Sequence, residues 1–306
     1  MILGDNMKAL CIGHASYDFT MPMDTYPIEN SKYRITNAVG CGGGPASNAA
    51  YLLSKWGIET YFAGVVGKDD NGRKIKEEFK QIGVNTKYLE MDPNNDTTIS
   101  FIIVNAKNGS RTIFTKRSKN MELTKKIDIK PDLILVDAQE LVASKEAIKS
   151  NPNAITMIDA GRFNDNVVEL AKMVDYVVCS KNFAEDYTKM RVNIHDSKEI
   201  KEMYKKLTKD FKNVIITLED KGALYQKDNI IKVMPSIKVK PVDSTGAGDI
   251  FHGAFAYCLL NNFDIEKTIM ISNITGAISV TRLGGRYSMP SLKEVMDIYE
   301  KCLKDW

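Results

Sequence analysis

The run Pro241-Val242-Asp243-Ser244-Thr245-Gly246-Ala247-Gly248-Asp249-Ile250-Phe251-His252-Gly253-Ala254-Phe255 holds the densest chemistry in this chain. Two glycines flank an alanine, an aspartate follows at once, and a helical apolar pattern begins behind it. Gly246, Ala247 and Gly248 suit a turn into a helix whose first N–H groups converge on an anion, because small residues let the backbone approach closely. Asp249 falls in the first helical turn, where the positive helix end favours its ionised form. A phosphoryl group in transfer needs donors for its developing charge, and the attacking hydroxyl needs a base. The transition state is loose and the proton can leave late, so an ordinary carboxylate suffices. Taken alone, the run is equally an ordinary loop-to-helix cap.

A second glycine-led helix start is Gly40-Cys41-Gly42-Gly43-Gly44-Pro45-Ala46-Ser47-Asn48-Ala49-Ala50. Bare backbone can bond sugar hydroxyls without side-chain obstruction, and Asn48 both donates and accepts. A plain tight connection is the competing reading. The elements that must carry these turns are legible from periodicity. Residues 9–12, 133–136, 155–158, 176–179 and 214–217 are nearly continuous apolar runs, as strands buried on both faces require. Amphipathic segments at 46–56, 72–82, 197–210, 247–261, 265–282 and 291–303 predict helices. The alternation predicts an α/β fold with a mainly parallel sheet between helical layers. Residues 14–40 and 96–117 are more polar and β-rich, and Lys107-Asn108-Gly109-Ser110 reads as a hairpin turn. These stretches predict a small separate sheet, a flap over the carboxyl ends of the strands where ligands bind.

Together the two glycine-led runs resemble the signatures of the PfkB/ribokinase family of carbohydrate kinases. Gly43-Gly44, Asn48, Ala50, Gly57 and Gly67 fit the N-terminal signature, and Asp243 to Asp249 with Gly253-Ala254 fit the C-terminal one. The resemblance spans essentially the whole chain, residues 1–306, as a single ribokinase-like three-layer α/β/α domain. Its small β lid would come from the insertions at about 14–40 and 96–117. It implies Asp249 as catalytic base and Gly246, Ala247 and Gly248 as the anion hole. It implies Asp18, Gly43, Gly44 and Asn48 as sugar contacts, with Glu140 reaching a hydroxyl. Asn182 and Glu185 match an N-x-x-E motif that places Mg²⁺ and phosphates through water. Thr217, Glu219 and Gly222 match a nucleotide loop in which Glu219 replaces the usual glycine, and Asn273 matches a position near adenine. Some members bind a monovalent cation such as K⁺. Asp243 and Thr245 fit two of its ligand positions, and carbonyls around Ser279, Arg282 and Gly284, with Ser288, would supply the rest. The alternative is that Asp243 only caps the turn.

The sugar end departs from ribokinases, which carry lysine directly after the glycine pair where this chain has Pro45. Arg111, Lys116, Arg117, Asn120 and Arg162 are charged or polar residues that could meet an acidic or phosphorylated sugar, the competing reading being exposed surface. A nucleoside kinase is the alternative within the fold, with Phe19, Phe101 and Phe114 as candidate walls for a base. A catalytically silent sugar-binding regulator is the alternative outside catalysis, disfavoured because base and anion hole are both intact. His252 reads as packing. Gly64-Val65-Val66-Gly67-Lys68-Asp69 lacks P-loop spacing.

Composition sets the outer bounds. The 306 residues carry a net charge of +3 with 43% hydrophobic and 26% charged residues, ordinary for a globular chain and too weakly basic to imply a nucleic-acid partner. Five dispersed cysteines with no C-x-x-C pair predict reduced thiols and a cytoplasmic setting. The N-terminal residues lack signal-peptide character, and no apolar run predicts a membrane span. ATP, Mg²⁺ and a small sugar are the expected ligands, and an exposed lid with open strand edges predicts a homodimer through the lid.

Overall fold

The computed structural model describes residues 7–118 and 121–304, so Lys119 and Asn120 lie outside the described residues. Along the chain run β1 (Lys8–Ile12), β2 (Ser16–Met23), β3 (Val39–Gly43), α1 (Pro45–Lys55), β4 (Glu59–Gly67), α2 (Asp70–Ile82) and β5 (Asn85–Asp92). The chain continues through β6 (Ile99–Asn105), β7 (Arg111–Lys116), β8 (Leu133–Val136), α3 (Leu141–Ser150), β9 (Ile155–Ala160), α4 (Asp165–Ala171) and β10 (Tyr176–Ser180). It ends with α5 (Lys181–Thr188), α6 (Ser197–Asp210), β11 (Val214–Thr217), β12 (Ala223–Lys227), β13 (Ile230–Met234), α7 (Ala247–Leu260), α8 (Ile265–Ser279) and α9 (Leu292–Lys304).

The large sheet has the order β13-β12-β11-β10-β9-β8-β1-β4-β5. Every pairing from β5 across to β11 is parallel, while β12 and β13 add an antiparallel edge. Alternation along each strand splits its side chains between two apolar layers. Ala9 and Cys11 of β1 join one core with α1, α2, α7, α8 and α9, while Leu10 and Ile12 join the other with α3 to α6. Burial on both faces explains the unbroken apolar runs in the sequence. Helix α7 is buried around most of its circumference, so it is apolar on every side rather than along one stripe.

The second sheet has the order β3-β2-β6-β7 and draws its strands from residues 16–43 and 99–116. Its hairpin Lys107–Ser110 closes with Gly109 at φ +68°, where glycine is favoured. The strand order of the large sheet reverses direction at β1, whose neighbours are β4 and β8. The carboxyl ends of β1 and β8 therefore flank a topological switch point, the usual crevice for ligands in an open α/β sheet.

Helix starts are locally encoded. Asp69 accepts from Gly72 N at the head of α2, and Asp264 accepts from Glu266 N and Lys267 N at the head of α8. Such caps contribute about 1 kcal/mol each. Phe255 of α7 is fully buried and packs on Tyr176 and Phe251. Phe255→Ala should therefore lower stability by about 3–5 kcal/mol, against about 1 kcal/mol for Asp264→Ala. Urea-unfolding midpoints of the two variants check this order.

Candidate active site

Helix α7 begins at the 243–249 turn. Gly246, at φ +73°, is its N-cap, so the left-handed backbone that starts the helix demands glycine. A Cβ on Gly248 would meet no atom within 4 Å, and Gly248 is exposed, which leaves room over the helix head for a bulky anion. Asp249 stands in the first turn. Its Oδ2 accepts from Asn48 Nδ2 at 2.7 Å, joining residues 201 positions apart. Asn48 is buried, and its Oδ1 has no hydrogen-bond partner among the described residues. Burial pushes the Asp249 carboxyl up to about 6, the Asp159 charge adds to the rise, and Asn48, His252 and Arg111 oppose it. It is thus a stronger base than the ordinary carboxylate expected from sequence, yet mostly ionised at neutral pH.

His252, one turn on, is buried, with Nδ1 2.6 Å from Gly248 O and 3.2 Å from Asp159 Oδ2, and Nε2 3.0 Å from Val178 O. It fastens α7 to β9 and β10, the packing role expected of it.

The residues expected at a sugar gather beside Asn48. Asp18 accepts from Ser16 Oγ at 2.8 Å. Burial pushes its carboxyl up to about 6, against hydrogen bonds from Ser16 and Ser100. Gly43 lies across β2 and β3, where a Cβ would fall 2.0 Å from Asp18 Oδ2. Gly44, at φ +99°, is the N-cap of α1, and Pro45 occupies the first helical position, which its fixed φ suits. Glu140 caps α3 and accepts from Leu123 N at 2.9 Å. Burial pushes its carboxyl up to about 7, with Asp137 adding to the rise and the Leu123 bond opposing it.

Sequence reasoning missed Asp137, the residue that braces this side. Its carboxylate accepts from His14 N at 2.8 Å, Ala46 N at 3.1 Å and Gln139 N at 3.0 Å, tying the end of β1 to the head of α1. The available signal was a carboxylate directly after the apolar run 133–136, at the carboxyl end of a buried strand. Sequence reasoning also missed how the lid rests on the 243–249 turn. Gly109 O accepts from Ser244 N at 3.0 Å and Ser244 Oγ at 2.8 Å, and Arg111 Nη1 donates to Ser244 Oγ at 2.9 Å. Of the other candidate charges, Lys116 of the lid pairs with Asp96, Arg117 is exposed yet near enough to act on His14 and Glu140, and Arg162, which follows β9 in the large sheet, is exposed.

Phe19 stacks on Phe101 at 5.6 Å, and Phe101 pairs across the strands with Phe114. Asp18 and Ser100 are register partners in β2 and β6, and the Asp18 carboxylate lies against Gly43 beside the site. Strand alternation therefore puts the three phenylalanines on the opposite face of the lid. They do not wall the site next to Asp18.

The nucleotide candidates group on the other flank. Thr217 ends β11 beside the head of α5, its hydroxyl 3.3 Å from Cys179 O. Gly222 is pressed against Met234 O and Ser236 N, and Asn273 Nδ2 donates to Met234 O at 3.0 Å and Pro235 O at 3.3 Å. Met234, Pro235, Ser236, Asn273, Ile274 and Cys302 line a small cleft there. Glu219 sits at φ +59°, so this loop holds a glycine-like backbone despite its side chain. Asn182 is exposed in the first turn of α5. Glu185 Oε1 accepts from Val192 N at 2.9 Å, and its Oε2 from Arg191 at 2.8 Å. Burial works against its ionisation, but those bonds and Lys181 hold the carboxyl below its usual range.

The candidate cation residues also converge. Buried Asp243 accepts from Thr245 N and Gly284 N, both at 2.9 Å. Arg282 N donates to Ser279 O at 3.1 Å and Ser288 N to Gly284 O at 2.9 Å, while the Arg282 guanidinium pairs with Glu294. Buried Thr245 Oγ1 has no hydrogen-bond partner among the described residues.

Among the described residues no group of three or more His, Cys, Asp or Glu is placed to hold a metal ion, and no helix is long and apolar enough to cross a membrane.

Comparison with known proteins agrees with this arrangement. Residues 6–292 match the family model described as pfkB family carbohydrate kinase. The ribokinase of Staphylococcus aureus is 26% identical over 303 residues, 95% of this chain and 99% of the relative. The deoxyribokinase of Salmonella typhi is 27% identical over 304 residues, 96% of each. The nucleoside kinase of Methanocaldococcus jannaschii is 23% identical over 308 residues, 97% of this chain and 98% of the relative. Among solved structures, a proposed ribokinase from Agrobacterium tumefaciens superposes with a TM-score of 0.87 at 22% identity, covering 98% of this chain and 99% of that one. The ribokinase of Arabidopsis thaliana in complex with ribose and ATP gives a TM-score of 0.77 at 20% identity, covering 96% and 98%. The fold is that of the ribokinases, and the chain belongs to the pfkB family of carbohydrate kinases.

Proposed function

We propose that this chain transfers the γ-phosphoryl group of ATP to a hydroxyl of a small sugar or sugar derivative. The observation that carries the reading is the hydrogen bond from Asn48 to Asp249, which brings the two glycine-led motifs into one site. Asp18, Gly43, Gly44, Asn48 and Glu140 hold the sugar. Asp249 Oδ2 takes the hydroxyl proton as that oxygen attacks the γ-phosphorus in line with the departing ADP. The N–H groups of Gly246, Ala247 and Gly248 stabilise the charge that develops on the phosphoryl oxygens. The free Asn48 Oδ1 suits a sugar hydroxyl as donor. Lid contacts from Gly109 and Arg111 to Ser244 exclude water from the transferring group and add a positive charge beside it.

ATP lies along Thr217, Glu219, Gly222 and Asn273, with Asn182 toward its phosphates. Mg²⁺ neutralises phosphate charge when bound, and Glu185 suits an outer role through water, since it is ionised and both its oxygens are already hydrogen-bonded. Asp243, Thr245, Ser279, Arg282, Gly284 and Ser288 form an oxygen-rich group behind the anion hole that fits a monovalent cation, and the unpartnered Thr245 hydroxyl favours this over a bare turn cap. The whole chain acts as one kinase unit. The exposed Phe101 and Phe114, with the open edge of β7, suit a homodimer through the lid. Four of the five free thiols are buried, which suits a reducing cytoplasm. The orientation of Phe19, Phe101 and Phe114 favours a sugar over a nucleoside, because one chain offers no aromatic base pocket from these residues.

Asp249→Asn should lower kcat by about 10²–10⁴-fold while sparing ATP binding, measured by titration calorimetry beside turnover. Burial raises both Asp249 and Asp18 to about 6. Their ionised forms are the working ones, so kcat/KM should fall as pH drops through that value. The acid limb should steepen toward about two decades per pH unit, and Asp18→Asn should reduce it to about one. Gly43→Ala would set a methyl group against Asp18 and should raise the sugar KM at unchanged ATP KM, read from initial rates.

A further inference from the structure

We propose that Arg286 is a positioning residue for sugar binding, tying the 284–288 loop through Glu78 and Ser47 to the substrate-facing turn at 42–48; the sugar itself rests on the reading above. The Arg286 side chain is 1% exposed. Its Nη1 donates to Glu78 Oε2 at 2.7 Å and its Nη2 to Ser47 Oγ at 2.6 Å. Glu78, in α2, accepts in turn from Gly42 N at 2.9 and 3.2 Å. The guanidinium lies over Tyr51 at 5.0 Å and Phe79 at 4.6 Å, a cation–π sandwich between α1 and α2. A Cβ on Gly42 would fall 2.3–2.7 Å from the guanidinium atoms, so β3 can pass only as bare backbone.

The partners of this arginine point to position rather than bulk stability. Gly42 immediately precedes Gly43-Gly44, and Ser47 immediately precedes Asn48. Two residues before Arg286, Gly284 N donates to Asp243 Oδ2, which opens the catalytic turn. Direct bonds thus form a closed ring around the site: Asp249 to Asn48, Ser47 to Arg286, Gly284 to Asp243, and along the turn back to Asp249. A buried ion pair contributes little net stability over well-packed apolar residues, so the geometry this one enforces is the property to test. Arg286 presents a planar fork to two acceptors at once, which lysine cannot do.

The test uses Arg286→Lys and, because breaking a buried pair can unfold a protein, the paired apolar replacement Arg286→Met with Glu78→Met. In folded variants the sugar KM should rise about tenfold, with ATP KM unchanged. In the ligand-free protein, amide exchange at Gly42, Gly43 and Asn48 should accelerate about tenfold while amides of β8 to β11 keep their protection. Unchanged sugar KM in both folded variants overturns the proposal, as does unchanged exchange at Gly42. The exchange measurement needs no substrate. Failure of the wild-type chain to phosphorylate any sugar would therefore sink the kinase reading alone, leaving exchange to decide the tie.

Discussion

The hydrogen bond from Asn48 to Asp249 is the contact on which the rest of the site depends. It crosses from one glycine-led helix start to the other, and each helix is held by a different part of the sheet. Helix α1 is fixed by Asp137 at the switch point, which binds the backbone on either side of the crevice. Helix α7 is fixed by His252 over β9 and β10. Burial raises the basicity of Asp249, and the Asn48 amide limits that rise. The same contact therefore positions the carboxylate and tempers how strongly it holds a proton.

Two half-buried acidic groups with similar elevated affinity for protons, Asp18 and Asp249, face the same small space. Burial is the larger cause for both; the Asp249 charge adds to the rise at Asp18, and the Asp159 charge to that at Asp249. A sugar with several hydroxyls suits that space, since its donors satisfy carboxylates that have left water. The glycines around them are spatial necessities. A side chain at 43 collides with Asp18, and one at 42 collides with Arg286. The turn is thus shaped by what stands behind it as much as by what it would bind.

Much of the architecture was legible in the sequence. Continuous apolar runs marked β1, β8, β9, β10 and β11, because strands covered on both faces admit few polar residues. Strand β4 was not among the strands expected, because Gly64 and Gly67 interrupt its apolar run. They are glycines because a Cβ would strike Gly13 O at 2.4 Å and Thr97 N at 2.4 Å. The edge strand β13 carries too many exposed residues to announce itself, and the buried part of β12 is only the short run Ala223 to Tyr225. The two halves of the site were legible because their motifs are local. The bonds from Asp137 to Ala46 and from Arg286 to Glu78 and Ser47 were not, because they join residues 91 to 239 positions apart and no spacing rule connects them. The facing of the lid phenylalanines needed strand register, which only the paired structure supplies.

The central claim is that this site moves a phosphoryl group from ATP to a sugar hydroxyl. ADP release by the purified wild-type chain, followed across a panel of sugars, sugar acids, sugar phosphates and nucleosides, tests it most directly. The account predicts ADP release that depends on at least one sugar or sugar derivative and matches the phosphorylated product in amount. ADP release with nucleosides alone, or with no member of the panel, would contradict it.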